Sequence, residues 1–98
     1  MVSNGAYGER MMAVIKCLRI DFDAYRTGED TPPDPAEIAS RLEADAGISP
    51  VAVVHCETTT GIVNPIEAIG QVVRRAGRSY IVDAMSSFGA MPIDFEAC

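Results

Sequence analysis

Histidine, lysine and tryptophan are scarce in this chain of 98 residues, which has one histidine, His55, one lysine, Lys16, and no tryptophan. Structural zinc sites need clustered cysteine and histidine ligands, and the three cysteines show no C-x-x-C spacing, so we assign no metal ligand. An odd number of cysteines without such spacing favours reduced thiols over a disulfide framework. The cysteine pattern therefore predicts a cytoplasmic location.

The chain also lacks an excess of positive charge and any apolar run of the length that spans a bilayer. Eight lysines and arginines against 14 aspartates and glutamates give a formal net charge of −6 at pH 7. This balance argues against nucleic acid or an anionic membrane as a partner. The composition, 48% hydrophobic and 22% charged, is instead typical of one small globular domain.

Short apolar segments alternate with helical segments along the chain. Val51–His55 and Tyr80–Val82 are apolar runs, typical of strands that are buried on both faces of a parallel sheet. Apolar residues at helical spacing predict helices over residues 9–18 and after residues 34 and 64. Because this order indicates βαβ units, we expect an α/β fold with three layers, in which helices flank a mainly parallel sheet.

Weaker patterns predict the remaining elements. Met1–Ser3 resembles the end of a strand, and the alternation in Ile20–Tyr25 predicts a strand near the edge of the sheet. Asp34 and Asn64 each precede a proline and, two residues further on, a glutamate, which is the usual start of a helix. Pro92–Glu96 would begin one more element.

Polar residues follow both of the strongly predicted strands. Cys56–Gly61 follows the first strand with carboxylate and hydroxyl groups, and Asp83 follows the second. Ligands of open α/β sheets bind at the carboxyl ends of the strands. The pattern alone leaves two interpretations of Asp83, a turn residue, which is the more frequent case, or a ligand contact.

Three segments together resemble the class V aminotransferases, fold-type I enzymes that depend on pyridoxal phosphate (PLP). They are Asn4–Arg10, His55–Glu67 and Val82–Gly89. The resemblance covers nearly the whole chain. It implies that residues 1–98 are a single partial domain, the central segment of the PLP-binding large domain, truncated at both ends.

The resemblance implies roles for four cofactor-binding residues. Asp83 would keep the pyridine nitrogen of PLP protonated, and Thr58 would place its hydroxyl near the ring oxygen. Tyr7 would stack on the ring, although packing over a turn is an equal alternative. His55 would lie near the ring, although a histidine on an apolar strand is more often a satisfied core residue. Glu57 is expected to orient its loop through hydrogen bonds.

The resemblance also implies a lysine that this chain does not supply. The Schiff-base lysine of the class lies one strand beyond Asp83, whereas Lys16 lies in the first predicted helix without the matching motif. We therefore assign no catalytic residue and expect the chain alone to be inactive.

The activity that the resemblance implies for the parent protein is amino transfer from a small amino donor to pyruvate by a homodimer. Within the class, Thr58–Gly61 and Ala84–Gly89 are most similar to members that use an aminophosphonate donor. Two alternatives stay open: a member of the alanine:glyoxylate type, and a truncated βα module without catalytic function.

Overall fold

A computed structural model describes all 98 residues, in which three helices alternate with short strands. In chain order, the elements are β1 (Val2–Ser3), α1 (Ala6–Cys17), β2 (Tyr25–Arg26), α2 (Pro35–Ala44), β3 (Val51–Val54), β4 (Cys56–Glu57), β5 (Ile62–Val63), α3 (Ile66–Arg75) and β6 (Tyr80–Asp83). No helix has both the length and the hydropathy that are needed to cross a membrane.

The main strand pairs are parallel. β3 pairs with β6 so that Val51 lies opposite Tyr80 and Val54 lies opposite Asp83. β1 pairs with β2 and packs beside β3, whereas β4 and β5 form an antiparallel hairpin. The alternation of strands and helices with parallel pairing agrees with the predicted α/β fold.

The two faces of β3 meet different helices. Its four residues are all buried, as the apolar run predicts. Val51 and Val53 belong to the main core with side chains of α2 and α3, whereas α1 contributes no side chain to that core and packs against β1, β3 and β4. Because side chains alternate along a strand, the sheet lies between α1 and the α2–α3 pair. The core consists of Val2, Ile38, Leu42, Val51, Val53, Ile66, Ile69 and Val73.

Two predicted strands differ from the structure. Ile81 in β6 is 49% exposed, so the prediction that this strand is buried on both faces is wrong. Among the strands, β6 pairs only with β3, which leaves it at an edge. Of the predicted strand Ile20–Tyr25, only Tyr25 lies in a strand, since β2 consists of Tyr25 and Arg26, which pair with Val2 and Ser3. Pro92–Glu96 forms neither a helix nor a strand.

The helix starts were predicted with mixed success. Asp34 caps α2 as expected, since its Oδ1 accepts a hydrogen bond of 2.8 Å from the backbone N–H of Ala36. Asn64 does not cap α3, which begins after Pro65 without a side-chain cap. The buried Asn64 amide instead donates to the carbonyl oxygen of Val54 at 2.8 Å and exchanges two hydrogen bonds with Asn4. This pair ties the loop before α1 to the end of the β4–β5 hairpin.

Candidate cofactor site

A cleft of about 590 Å³ lies between α1 and the carboxyl ends of β3 and β6. Three of the four predicted cofactor-binding residues line it, namely Tyr7, Thr58 and Asp83. These residues come from three separate segments of the chain, which the parallel register of β3 and β6 brings together. The sequence did not single out the other main lining side chains, which are Arg10, Met11, Val14, Cys56, Met85 and Ser86.

Asp83 is the last residue of β6 and is partly buried. Its Oδ1 accepts a hydrogen bond of 3.0 Å from the backbone N–H of Met85, which is the turn interaction expected of an aspartate at this place. Its other carboxylate oxygen has no hydrogen-bond partner in the protein, and no arginine or lysine forms a salt bridge with it. Asp83 therefore stabilises a turn with one oxygen, and its other oxygen is free of partners within the protein.

Thr58 occupies the first turn position of the β4–β5 hairpin. The turn is closed by the backbone N–H of Gly61, which donates to the carbonyl oxygen of Glu57 at 2.7 Å. Gly61 has a φ of +76°, a conformation that glycine adopts without strain. The Thr60 hydroxyl donates to the same carbonyl oxygen at 3.3 Å, so Thr60 supports the turn while Thr58 lines the cleft.

Tyr7 lies in the first turn of α1 with 44% of its surface exposed. Its backbone N–H donates to Glu57 Oε2 at 3.0 Å, and the next N–H, of Gly8, donates to Glu57 Oε1 at 2.7 Å. The start of a helix often binds an anionic ligand through such free N–H groups. Here the carboxylate of Glu57 already accepts from them, so a ligand phosphate has to bind elsewhere.

His55 is not among the residues that line the cleft. Its neighbours Val54 and Cys56 line the cleft, and His55, between them, is buried with its Nδ1 at 2.8 Å from the Ser87 hydroxyl oxygen. Burial lowers the pKa of the imidazole, which favours its neutral form, and the ring shares a hydrogen bond with the Ser87 hydroxyl through Nδ1. The pair fixes the turn that follows Asp83 against the end of β3.

The basic groups of the cleft do not include a lysine. Lys16 lies in the last turn of α1 and is not among the lining residues. The guanidinium of Arg10, which forms no hydrogen bond or salt bridge within the protein, is the only basic group there. No group of three or more His, Cys, Asp or Glu side chains is placed to hold a metal ion.

A comparison with known protein families matches residues 10–98 to the family described as aminotransferase class-V. The chain belongs to the class V aminotransferase family. The resemblance found in the sequence is thus confirmed, and class V aminotransferases are in general PLP-dependent transaminases.

Curated relatives of this class V chain carry one recurring name. The 2-aminoethylphosphonate–pyruvate transaminase of Lysinibacillus sphaericus is 52% identical over 94 residues, which cover 96% of this chain and 26% of the relative. The transaminase of the same name from Salmonella paratyphi B is 50% identical over 97 residues, which cover 99% of this chain and 26% of the relative. The chain therefore spans about a quarter of the length of the curated relatives that it matches.

Solved structures of other aminotransferases share the fold. Pyridoxamine-pyruvate aminotransferase from Mesorhizobium loti gives a TM-score of 0.90 at 35% identity, over 99% of this chain and 25% of that chain. Ureidoglycine-glyoxylate aminotransferase from Bacillus subtilis gives a TM-score of 0.87 at 25% identity, with the same coverage. The predicted α/β fold of the fold-type I enzymes is therefore confirmed.

The cleft residues fit the ring of PLP. A carboxylate oxygen without a partner suits the protonated pyridine nitrogen, a threonine hydroxyl suits the ring oxygen, and a half-exposed tyrosine offers an aromatic face. The phosphate of PLP has no matching site on α1, because Glu57 accepts from the N–H groups there. The cleft thus has groups that suit the ring, and no lysine is among the residues that line it.

Proposed function

We propose that residues 1–98 form the ring-binding wall of a PLP-dependent transaminase, as the central segment of its large domain. The proposed reaction transfers the amino group of 2-aminoethylphosphonate to pyruvate and gives phosphonoacetaldehyde and alanine. The observation that carries the proposal is that Tyr7, Thr58 and Asp83 line one cleft in a class V chain. The choice of donor is supported by curated relatives that are about half identical to this chain.

When bound, PLP supplies the electron sink into which the electrons of the broken substrate bond are delocalised. The free carboxylate oxygen of Asp83 would hold a proton on the pyridine nitrogen, because opposite charges stabilise each other at short range. Thr58 would donate its hydroxyl hydrogen to the ring oxygen, and Tyr7 would hold the ring through its aromatic face. His55 does not contact the ring in this proposal. It fixes the turn that follows Asp83 through its hydrogen bond with Ser87.

We also propose that the whole enzyme is a cytoplasmic homodimer that binds neither nucleic acid nor membranes. The net charge of −6 and the three free cysteines support this proposal. Large apolar side chains are exposed on this segment, among them Leu18 at 63% and Met85 at 92%. Further protein surface from the same enzyme would cover them.

The alternative substrates receive less support. Identity to a pyridoxamine–pyruvate aminotransferase is 35% and to a ureidoglycine–glyoxylate aminotransferase 25%, against 52% for the phosphonate transaminase. A glyoxylate-dependent transaminase remains the second candidate, since the ring-binding plan is shared across the class. The third candidate, a βα module without catalysis, does not explain why Asp83, Thr58 and Tyr7 line one cleft.

The test uses the full-length protein, which is the polypeptide encoded by the whole reading frame that contains this chain. We expect it to bind PLP, which is followed by absorbance, and to form alanine from 2-aminoethylphosphonate and pyruvate. Alanine with glyoxylate as the substrate pair is the matched comparison. A full-length protein that bound PLP but turned over only alanine and glyoxylate would exclude the phosphonate assignment. Failure to bind PLP would exclude the transaminase altogether.

A further inference from the structure

Glu57 is the most deeply buried carboxylate of the chain, with 0% of its surface exposed. No lysine or arginine forms a salt bridge with it. A buried charge without a cation is unfavourable unless hydrogen bonds and dipoles compensate for it. The compensation comes from α1, whose Tyr7 and Gly8 N–H groups donate to the two carboxylate oxygens at 3.0 and 2.7 Å.

The contact replaces a missing helix cap. Tyr7 and Gly8 are the second and third residues of α1, whose N–H groups are normally satisfied by the side chain of the N-cap residue. The N-cap here is Gly5, which has no side chain to offer. Glu57 takes over this function from a hairpin that lies 50 residues away in sequence, and the positive end of the helix dipole favours its negative charge.

Gly5 allows the close approach of the carboxylate. A Cβ atom at this position would lie 2.6 Å from Cδ of Glu57, a distance at which one of the two groups has to move. The backbone of Gly5 is extended, with a φ of −175°, so any other residue could adopt it. The absence of a side chain at Gly5 therefore serves the contact and not the backbone conformation.

The position of Glu57 joins two walls of the cleft. It immediately precedes Thr58 in the β4–β5 hairpin, and its carboxylate holds the backbone of Tyr7 on the opposite wall. The Tyr7 hydroxyl has no hydrogen-bond partner within the protein, so the polar contact that holds this residue is the one between its backbone N–H and Glu57. We propose that Glu57 is a positioning residue that holds Tyr7 at the distance from Thr58 that the cofactor ring requires. This inference rests on the proposed function, since the ring is that of PLP.

The test compares four variants of the full-length protein. Glu57→Gln keeps the shape and removes the charge, Gly5→Ala keeps the charge and displaces the carboxylate, and Tyr7→Ala removes the ring that is positioned. Glu43→Gln, on the exposed surface of α2, is the matched control for the loss of a negative charge. The readouts are the dissociation constant for PLP, from its absorbance, and hydrogen exchange of the Tyr7 and Gly8 amides in the protein without PLP.

We expect Glu57→Gln to raise the dissociation constant for PLP about tenfold, the effect of one lost hydrogen bond to a charged group. In the Tyr7→Ala background the same change should have an effect of less than about twofold, because a positioning residue has nothing left to position. Gly5→Ala should act like Glu57→Gln, and Glu43→Gln should leave the constant unchanged. If Glu57→Gln does not fold, Gly5→Ala with and without Tyr7→Ala completes the same cycle.

The two proposals fail in different ways. If the unmodified protein does not bind PLP, the proposed function is wrong, while amide exchange still shows whether Glu57 fixes the start of α1. If the protein binds PLP and Glu57→Gln weakens binding equally with and without the Tyr7 ring, Glu57 is only a structural residue. Unchanged exchange of the Tyr7 and Gly8 amides in Glu57→Gln would overturn the capping contact itself.

Discussion

Replacing Asp83 tests the candidate site most directly, because its two carboxylate oxygens perform separable tasks. One accepts from the backbone N–H of Met85 at 3.0 Å, and the other has no partner within the protein, in a residue that lines the cleft. Asp83→Asn keeps a carbonyl oxygen for the turn and removes the charge. Asp83→Ala removes both, and Asp83→Glu keeps the charge but misplaces it.

The size of the expected effect follows from the interaction of two charges. At an effective dielectric constant of about 20, opposite charges about 4 Å apart attract each other by roughly 4 kcal/mol. Asp83 is only partly buried, so solvent weakens this attraction, and we take about 3 kcal/mol as its contribution to the barrier. A barrier increase of about 3 kcal/mol lowers turnover by roughly a hundredfold. Asp83→Asn and Asp83→Ala should both show this loss, and Asp83→Glu should fall between them and the unmodified protein.

The assay is the rate of a single half-reaction in the full-length protein, followed by the absorbance of the bound cofactor. Thermal unfolding without PLP measures the turn separately. Asp83→Ala should lose about 1 kcal/mol of stability with the Met85 hydrogen bond, and Asp83→Asn should lose less. If Asp83→Asn reacted within a few-fold of the unmodified protein, Asp83 would be a turn residue only and the site assignment would be wrong.

Three further predictions concern other residues of the chain. Saturation with PLP should slow alkylation of Cys56, which lines the cleft, but not of the exposed Cys17, as peptide mapping would show; equal rates for Cys56 with and without PLP would place the cofactor elsewhere. Burial lowers the pKa of His55 in the folded protein below 6.5, so near this pH the unfolded chain binds more protons than the folded protein does. The folded protein should therefore lose stability as the pH falls through 6.5. Thermal denaturation between about pH 7.5 and about pH 5.5 measures this loss, which His55→Gln should reduce; an unchanged slope would contradict it. The 98-residue chain alone, incubated with PLP and reduced with borohydride, should show no stoichiometric label on Lys16, and such a label would refute its predicted inactivity.

The sequence predicted the parts of the fold that depend on local patterns. Val51–Val54 is apolar at every position, and all four residues are buried between α1 and the α2–α3 pair. Asp34 lies next to the helix that it caps, so the pattern of an N-cap followed by proline identified the start of α2. The motif around Asp83 was sufficient to place this residue at the end of a strand.

The sequence predictions were wrong where a residue distant in sequence forms the hydrogen bond that a neighbouring residue was expected to form. The sequence predicted that the first helix begins at residue 9, but α1 begins at Ala6 because Glu57 caps it from the hairpin. Asn64 matched the pattern of an N-cap, yet its amide pairs with Asn4. No window of sequence around either helix contains this information. The interpretation of His55 was incomplete for the same reason, since Ser87, its partner, lies 32 residues away.

The buried polar contacts explain how three short segments form one cleft before a ligand arrives. Glu57 holds the start of α1, Asn64 holds the loop before it through Asn4, and His55 holds the turn after Asp83 through Ser87. Each of these buried groups has a partner, and removal of one partner would leave the other unsatisfied at a cost of about 1–3 kcal/mol. The three contacts therefore oppose separate movement of the cleft walls. Such a site orders few side chains when a ligand binds, so more of the contact energy with the ligand remains available as affinity.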